Sequence, residues 1–298
     1  MPSITAIQVS KERITSEVTR TLAAKHGLRG AHLLHETGLL HTVLAVSEET
    51  AARGLASLAW VESAGGIGEV LGLPTSGDAA ALVRLALLTE ALHASSVPHP
   101  QKTSKSARPI AAAEASLMFN GMRIRSKDCT SVVVAHNTGA EYFQPLLEVL
   151  ARADDTDMIL SSAPDGTPMA GPVSRVQLGM ALKKAGKRYP LSVAVGAVLV
   201  RARGILQDDM QLVHAARRLL TAMDILDLES VWTVPNMWNG NELQRKLGLG
   251  AMPAGSGFGD LMWAQKVWAL KHPSGTKEEC LVYLTEEAKN MLKLQGEE

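Results

Sequence analysis

The sequence has few aromatic residues, no excess of charge of either sign and only two cysteines in 298 residues. Its 30 basic and 30 acidic side chains balance, so any affinity for nucleic acid has to come from local patches. Cys129 and Cys280 lie far apart without C-x-x-C spacing, so the pattern predicts neither a zinc site nor a disulfide framework. This cysteine usage is consistent with a reducing compartment.

Long apolar runs are also missing. The longest covers residues 191–200, about half of the roughly 18 to 20 residues that a membrane span needs. Pro190 and Arg201 bound this run, which favours a buried core helix and predicts no membrane contact. The N-terminal residues lack the charged-then-apolar order of a secretory signal, and the early Glu12 and Glu17 are not typical of an acid-poor transit sequence. We therefore expect a cytoplasmic or mitochondrial location.

The apolar spacing is helical along nearly the whole chain, and abundant Ala and Leu favour helix as well. In the first helix Ile14, Val18 and Leu22 recur every four residues and form one face. Ser10 stands at the N-cap position, where its hydroxyl can accept a backbone N–H. The sequence therefore predicts an all-α protein.

Three further ranges complete this prediction. The helix predicted over 79–93 carries too many apolar residues for a single stripe, which indicates a central position in the packing. The polar range 95–109 contains three prolines and is predicted to be a connector. The range 153–172 combines Asp, Ser, Gly and Pro, which predicts either a surface loop or a joint.

The first forty residues carry a motif. Residues 10–17 read S-x-E-R-I-x-x-E, and a second helical stretch ends in Gly-Leu-Leu at 38–40. This order resembles the neck of the class II tRNA nucleotidyltransferases, the CCA-adding enzymes and their bacterial poly(A) polymerase relatives. The resemblance assigns the neck motif to Ser10, Glu12, Arg13 and Glu17. The alternative is an ordinary amphipathic helix, with Arg13 and Glu17 as an i,i+4 pair.

Further segments follow in the order of the same family, in its eukaryotic type. A leucine-rich helix, a basic stretch at 102–105 and another helix precede residues 175–184, which are similar to the family's R-x-x-x-G-x-x-L-R segment. Residues 239–248 and 272–280 resemble the tail patterns G-x-E-L-x-x-x-L-G and H-P-x-G-T-K-E-E-C. The resemblance implies an elongated helical array, with neck-like and first body helices at 1–75, a helical body at 76–230 and a small tail module at 231–298.

The sequence has none of the catalytic motifs of that family. The family transfers nucleotides with two strand-borne carboxylates that hold metal ions, together with G-G-x-V-R-D and E-D-x-x-R segments. Gly65-Gly66 lacks the Arg-Asp pair, and residues 154–157 offer carboxylates without a glycine-rich partner, so we predict a solvated turn there. No residue is predicted to be catalytic, to hold a metal or to bind a cofactor. Because the neck motif begins nine residues after Met1, we expect an RNA-handling part without its catalytic head.

Basic residues cluster between 175 and 218, opposed by Asp208 and Asp209. Such a face could neutralise RNA phosphates. Alternatively, its side chains could be solvent-exposed charges at the ends of packed helices. The predicted RNA-binding residues are Arg175, Lys183, Lys184, Lys187, Arg188, Arg201, Arg203 and Arg217. The glycine-containing loop at 253–257 precedes a helix and could hold an anion, or it could be a tight turn.

The leading hypothesis is a helical portion of a tRNA nucleotidyltransferase that binds tRNA or another structured RNA and is incomplete alone. It would need a separate head chain, and the first helix would offer Ile14, Val18 and Leu22 as an uncovered apolar interface for it. The alternative is a structural, non-catalytic subunit of a ribonucleoprotein such as an organellar ribosome. A truncated gene product is a third possibility.

Overall fold

The computed structural model describes residues 10–101, 108–204, 206, 208–248 and 258–295, with side chains described through 290. The chain divides into two compact units. The first unit comprises Met1–Arg152 and Arg188–Leu219, and the second comprises Ala153–Lys187 and Leu220–Glu298. The domain boundaries proposed from the sequence at 75/76 and 230/231 stay a prediction. The predicted roles of the loops at 102–105 and 253–257 also stay predictions, because both loops lie outside the described residues.

The first unit is helical. In chain order its helices are α1 (Lys11–Ala23), α2 (Gly27–Glu36), α3 (Leu39–Leu44), α4 (Glu48–Val61), α5 (Ile67–Val70), α6 (Gly77–Leu88), α7 (Ala112–Glu114), α8 (Ser126–Thr138) and α9 (Gln144–Leu150). After α10 (Arg175–Ala185) of the second unit, the chain returns with α11 (Tyr189–Ala202), and α12 (Asp209–Ile225) crosses the unit boundary. A π-helical segment at Ala115–Asn120 continues α7, and another at Gly139–Phe143 joins α8 to α9.

Two helices form the core of the first unit. Every residue from Leu191 to Val200 of α11 is buried, and α11 packs against α8, α9 and the π-helical turn between them. Helix α6 buries all of its residues from Ala80 to Leu88 except Leu82, and it packs against α1 and α4. Both predictions, the buried helix and the central helix, are confirmed. In the described part of the chain, every helix is too short or too polar to cross a bilayer.

The second unit combines helices with a small sheet. Its antiparallel strands are β3 (Leu160–Ser162), β4 (Pro168–Ala170) and β5 (Val173–Ser174), in that order, with Leu160 opposite Ala170 and Ala170 opposite Val173. Its remaining helices are α13 (Gly240–Lys246), α14 (Phe258–Lys271) and α15 (Lys277–Gln295). A buried cluster joins these three helices through Leu243, Leu261, Trp268, Cys280, Leu284 and Ala288.

The sheet lies where the sequence predicted a loop or a joint. Its strands have only two or three residues, which is too short for the alternation that reveals a strand in a sequence. Near the start of the connector predicted at 95–109 lies β1 (Ser96–Val97), which pairs antiparallel with β2 (Ile110–Ala111) directly after the connector. These small sheets leave the predicted all-α class confirmed, since helices form most of the described structure.

The helix-end signals at Ser10 and Gly38 are confirmed. Ser10 Oγ accepts the backbone N–H of Arg13 at 3.3 Å, and Gly38 ends α2 with a left-handed φ of 69°. At the start of α15 the Thr276 amide donates to Glu279 at 2.8 Å, and the Glu279 amide donates to Thr276 Oγ1 at 3.2 Å. These bonds satisfy backbone donors that a helix start leaves free.

Both cysteines are buried free thiols. Burial and the nearby Glu114 carboxylate raise the pKa of Cys129 to about 12, and burial raises the pKa of Cys280 to about 11. Residues 154–157 form an exposed turn, as predicted. Among the described residues, no group of three His, Cys, Asp or Glu side chains is placed to hold a metal ion.

Candidate nucleic-acid interface

Helix α1 packs its apolar face into the first unit. Val18 is 6% exposed and Leu22 is fully buried, because α1 lies against α6, while Ile14 is partly exposed. The expectation of an uncovered apolar interface is therefore corrected for Val18 and Leu22, which α6 of the same chain already covers. A role for Ile14 at a partner interface stays a prediction.

The apolar side chains that lie open near the neck motif are different ones. Leu33 on α2 is 51% exposed, and Leu39 at the start of α3 is 49% exposed. Both flank the turn at Gly38, which the sequence marks with Gly-Leu-Leu. The periodicity of α1 gave its apolar stripe but not the helix that covers it, because period alone does not say what packs on a stripe.

The polar neck residues lie on the outer surface of α1. Ser10 caps the helix, and Glu12, Arg13 and Glu17 are exposed. Glu17 forms its ion pair with Arg20, at 3.3 Å and with both side chains largely exposed, in place of the predicted pair with Arg13. An i,i+3 pair this exposed contributes little to stability.

Two side chains tie α1 to the end of the first π-helical segment and to the residues after it. Lys11 Nζ donates to the carbonyl oxygens of Phe119 and Asn120, at 3.2 and 2.8 Å. Thr15 Oγ1 accepts the backbone N–H of Arg123 at 2.8 Å. Lys11 thus serves the fold of the first unit as a bridge between two distant parts of the chain.

Arg84 on α6 is a buried polar anchor of the first unit, and its side chain is 1% exposed. It donates to the carbonyl oxygens of Leu22 and Ala24 at the end of α1 and to that of Thr75 before α6. It also forms an ion pair with Glu62 at the end of α4, with Nε 2.6 Å from Oε1. One guanidinium therefore fixes the ends of two helices against a third. The signal that could have found it is an arginine inside an otherwise apolar helix.

The guanidinium of Arg84 needs room at the start of α2. A Cβ on Gly27 would lie 2.3 Å from Arg84 Nη1, so only glycine fits beside the buried cation. The stretch from α1 to α2 is consequently built around a residue about sixty positions further along the chain.

A cavity of about 750 Å³ in the first unit brings several cations together. Arg53, Arg201 and Arg203 line it, with Trp60 and His93. The guanidinium carbon of Arg201 lies 5.2 Å from the centre of the Trp60 ring, in the geometry of a cation–π contact. The cavity joins two of the predicted RNA-binding residues, Arg201 and Arg203, to three side chains that were not predicted to bind RNA.

Carboxylates accompany all three of these arginines. Arg201 pairs with Asp209 at 2.9 Å and Arg203 with Glu148 at 3.1 Å. Arg53 pairs at 3.3 Å with Glu90, whose side chain is fully buried and also accepts the Ser57 hydroxyl at 3.2 Å. Burial raises the pKa of Glu90, an effect that the Arg53 charge opposes. The cavity is therefore lined by cations whose charge is already largely matched.

The second unit presents lysines in a different setting. Lys183 Nζ donates to the carbonyl oxygen of Val234 at 3.0 Å, and Lys184 Nζ lies 5.2 Å from the centre of the Trp263 ring. Burial lowers the pKa of Lys183, and the positive charge of Lys266 lowers it further. The ion pairs among the described residues include none of these three lysines.

The eight predicted RNA-binding residues divide equally between the units. Arg175, Lys183, Lys184 and Lys187 belong to the second unit, and Arg188, Arg201, Arg203 and Arg217 belong to the first. Arg175 Nη2 donates to the carbonyl oxygen of Asp227 at 3.2 Å, while Lys187 and Arg217 are exposed. The sequence could not separate the two sets because the unit boundary between Lys187 and Arg188 carries no change of composition.

Comparison with known families gives one finding. Residues 7–52 match a family model described as the probable RNA- and SrmB-binding site of polymerase A. Comparison with curated proteins gives no match, and comparison with solved structures gives none either. The described part of the matched segment covers α1, α2, α3 and the start of α4, and Arg84 holds the end of α1 within it. The match supports a relationship to the poly(A) polymerase and CCA-adding family.

Proposed function

We propose that this chain binds structured RNA as the helical portion of a tRNA nucleotidyltransferase, the class of enzyme that adds CCA to the 3′ end of tRNA. The observation that carries the proposal is the match of residues 7–52 to the RNA-binding site of polymerase A. This match supports an RNA-binding role in a polymerase-family protein. The tRNA substrate is our extension of it, based on the order of the motifs from residue 10 to residue 280.

The physical mode of binding follows from where the uncompensated charge lies. Lysines without a carboxylate partner can exchange their hydration for RNA phosphates at little cost, which releases counterions and makes affinity fall with salt. The protein would read the shape and backbone of an A-form stem more than its base sequence. We assign this electrostatic contact first to Lys183 and Lys184.

The chemical step is proposed to need a nucleotidyltransferase head on another polypeptide. Asp155 and Asp157 have the spacing of a carboxylate pair, but they lie in an exposed turn rather than on a strand that could present a metal pair. We therefore expect the 298-residue chain alone to incorporate no labelled CTP or ATP into a tRNA that lacks CCA.

RNA binding is tested by fluorescence anisotropy with a labelled tRNA transcript that lacks CCA. The variant K183E/K184E should bind at least about ten-fold more weakly, and its plot of log affinity against log salt should be shallower by about two. The matched control is R125E/K127E, which reverses two exposed charges on α8 of the first unit. Equal losses in both variants would mean that net charge, and not a specific face, governs the binding.

The enzyme assignment is tested by purifying the native protein and identifying what accompanies it. A head-like nucleotidyltransferase chain that restores CCA addition when mixed with this chain and tRNA would support the proposal. Association with a ribosomal particle, together with no affinity for free tRNA, would overturn it in favour of a structural subunit. Absence of tRNA binding by the intact, folded chain would overturn the RNA-binding role itself.

A further inference from the structure

A surface of the second unit combines an exposed tryptophan with three lysines of α10 and α14. Trp263 on α14 is 37% exposed, an uncommon position for so large an apolar ring. Lys184 lies over its ring, and Lys183 is close enough to Lys266 for their charges to interact. We call Lys183, Lys184, Trp263 and Lys266 the lysine–tryptophan patch.

The patch is built by the packing of α10 on α14. A Cβ on Gly179 would lie 2.4 Å from Leu270 Cδ2, so the two helices approach closely at this point. One turn further along α10, Lys183 is near Lys266, and the next residue, Lys184, reaches Trp263. From Gly179 to Lys184 the residue numbers rise along α10, while those of their neighbours fall from Leu270 to Trp263 along α14. The two helices are therefore antiparallel.

The charge of the patch is left open to a ligand. Like charges that approach each other on a folded surface cost free energy, and a bound anion relieves that cost. The acidic residue on α14 that is nearest in sequence to Trp263 is the exposed Asp260, one turn earlier. The ion pairs among the described residues include neither Asp260 nor the three lysines. The patch therefore complements a ligand that carries several negative charges.

The tryptophan narrows the class of ligand. An anionic protein surface would use the lysines but gain little from the ring, whereas a nucleotide offers both phosphates and a flat base. A base inside a duplex has its faces covered by its neighbours, so it cannot stack on a side chain. Trp238 also has two lysines over its ring, but its indole N–H donates to Lys277 O and its backbone is bonded to Gln265, which fixes it within the buried cluster.

We propose that the lysine–tryptophan patch binds an unpaired nucleotide of RNA, with the base on Trp263 and the adjacent phosphates between Lys183, Lys184 and Lys266. The proposal rests on the RNA-binding function above and specifies which feature of the RNA this site takes. Lys184 covers the ring in the free protein. A phosphate draws its ammonium group away and uncovers the ring face for the base.

The test compares two substitutions in the full chain against two RNAs. Trp263→Leu keeps an apolar side chain but loses the aromatic face, and Trp263→Phe keeps an aromatic face. For a labelled single-stranded dodecamer, W263L should weaken binding by about ten-fold, within the range that base–aromatic stacking contributes, and W263F by much less. For a blunt duplex of the same length, both variants should bind as the unmodified chain does.

A second measurement needs no variant of the ring. A dodecamer that carries one 2-aminopurine should lose fluorescence on binding to the unmodified chain, because stacking quenches that base, and K184Q should weaken this binding where K127Q does not. Equal binding by W263L and the unmodified chain, with no quenching, would overturn the inference while tRNA binding stands. Loss of binding in K184Q without any effect of W263L would point to an anionic ligand that has no base. If no RNA binds the unmodified chain, the proposed function fails together with the inference.

Discussion

The paired arginines of the first unit and the lysine–tryptophan patch of the second unit use positive charge in opposite ways. In the first unit, arginines are joined to carboxylates: Arg84 to Glu62, Arg53 to Glu90, Arg201 to Asp209 and Arg203 to Glu148. In the second unit, Lys183 of the lysine–tryptophan patch donates to a carbonyl oxygen and Lys184 lies over an aromatic ring, while Lys183 and Lys266 are close enough for their charges to interact. The difference separates cations that hold the fold from cations that are free to hold a ligand.

The choice of side chain agrees with this difference. A guanidinium offers five N–H donors in a rigid fork, so one arginine can satisfy a carboxylate and several carbonyl oxygens at once, as Arg84 does. A lysine is a flexible point charge that can follow a phosphate. A basic residue therefore indicates an RNA contact only when its own chain leaves it without an acidic partner.

The largest effect is expected at Arg84. Arg84→Met keeps the length of the side chain but leaves the Glu62 carboxylate and three carbonyl oxygens without their donor, so the free energy of unfolding should fall by about 3 kcal/mol or more. Urea unfolding followed by circular dichroism measures it. The control is Arg20→Ala, which removes an exposed ion pair and should cost less than about 1 kcal/mol. Similar losses in the two variants would show that Arg84 does not anchor the first unit.

A comparable effect is expected from pH, through His136 on α8. Burial lowers the pKa of His136 to about 4 in the folded state, while its Nε2–H donates to the carbonyl oxygen of Ala86 at 2.8 Å. The unfolded chain binds this proton near pH 6.5, so stability contributed by the neutral ring is complete above that pH and is lost as pH falls toward 4. The difference corresponds to about 3 kcal/mol.

The measurement is urea unfolding between pH 7 and pH 4 for the unmodified chain and His136→Gln, whose amide can still donate to the same carbonyl. The variant should lose less stability on acidification. Glu90 acts with the opposite sign, because a raised folded-state pKa adds stability as pH falls, so only the difference between the two proteins isolates His136. An identical pH dependence in both would refute the assignment.

A smaller effect is expected at the helix crossing that builds the lysine–tryptophan patch. Gly179→Ala places a methyl group 2.4 Å from Leu270 Cδ2, which is buried and cannot move freely, so the second unit should lose about 1 kcal/mol. The matched control is Gly259→Ala on α14, where no atom lies within 4 Å of the added Cβ. That substitution should be neutral or stabilise by less than about 1 kcal/mol, since alanine favours helix. Thermal unfolding of both variants measures the contrast.

What the sequence could and could not predict follows from how far apart the interacting residues lie. Helix ends at Ser10 and Gly38 depend on neighbours within a few residues, and the burial of residues 191–200 depends on composition alone, so these predictions were confirmed. The apolar stripe of α1 was also visible, but not the α6 surface that covers it.

The charged residues show the same limit. The sequence grouped eight basic residues into one face because they are close along the chain, whereas the structure divides them between two units. The carboxylate partner of Arg203 lies 55 residues away, and Trp263 joins Lys184 across 79 residues. No local pattern reports such pairings, so the presence or absence of an acidic partner had to come from the fold.

The smallest effect is the most direct test of the comparison. The variant K183Q/K184Q removes two cations of the second unit that lack carboxylate partners, and R201Q/R203Q removes two of the first unit that have them. On a labelled tRNA transcript, K183Q/K184Q should make the dependence of log affinity on log salt shallower by about 0.7 to 0.9 for each lysine. R201Q/R203Q should change the salt dependence much less, because Asp209 and Glu148 already neutralise the two guanidinium groups. Few counterions then remain to be released. Equal changes in the two variants would mean that the arginines exchange their carboxylates for phosphates, and that the eight-residue face predicted from the sequence acts as a whole.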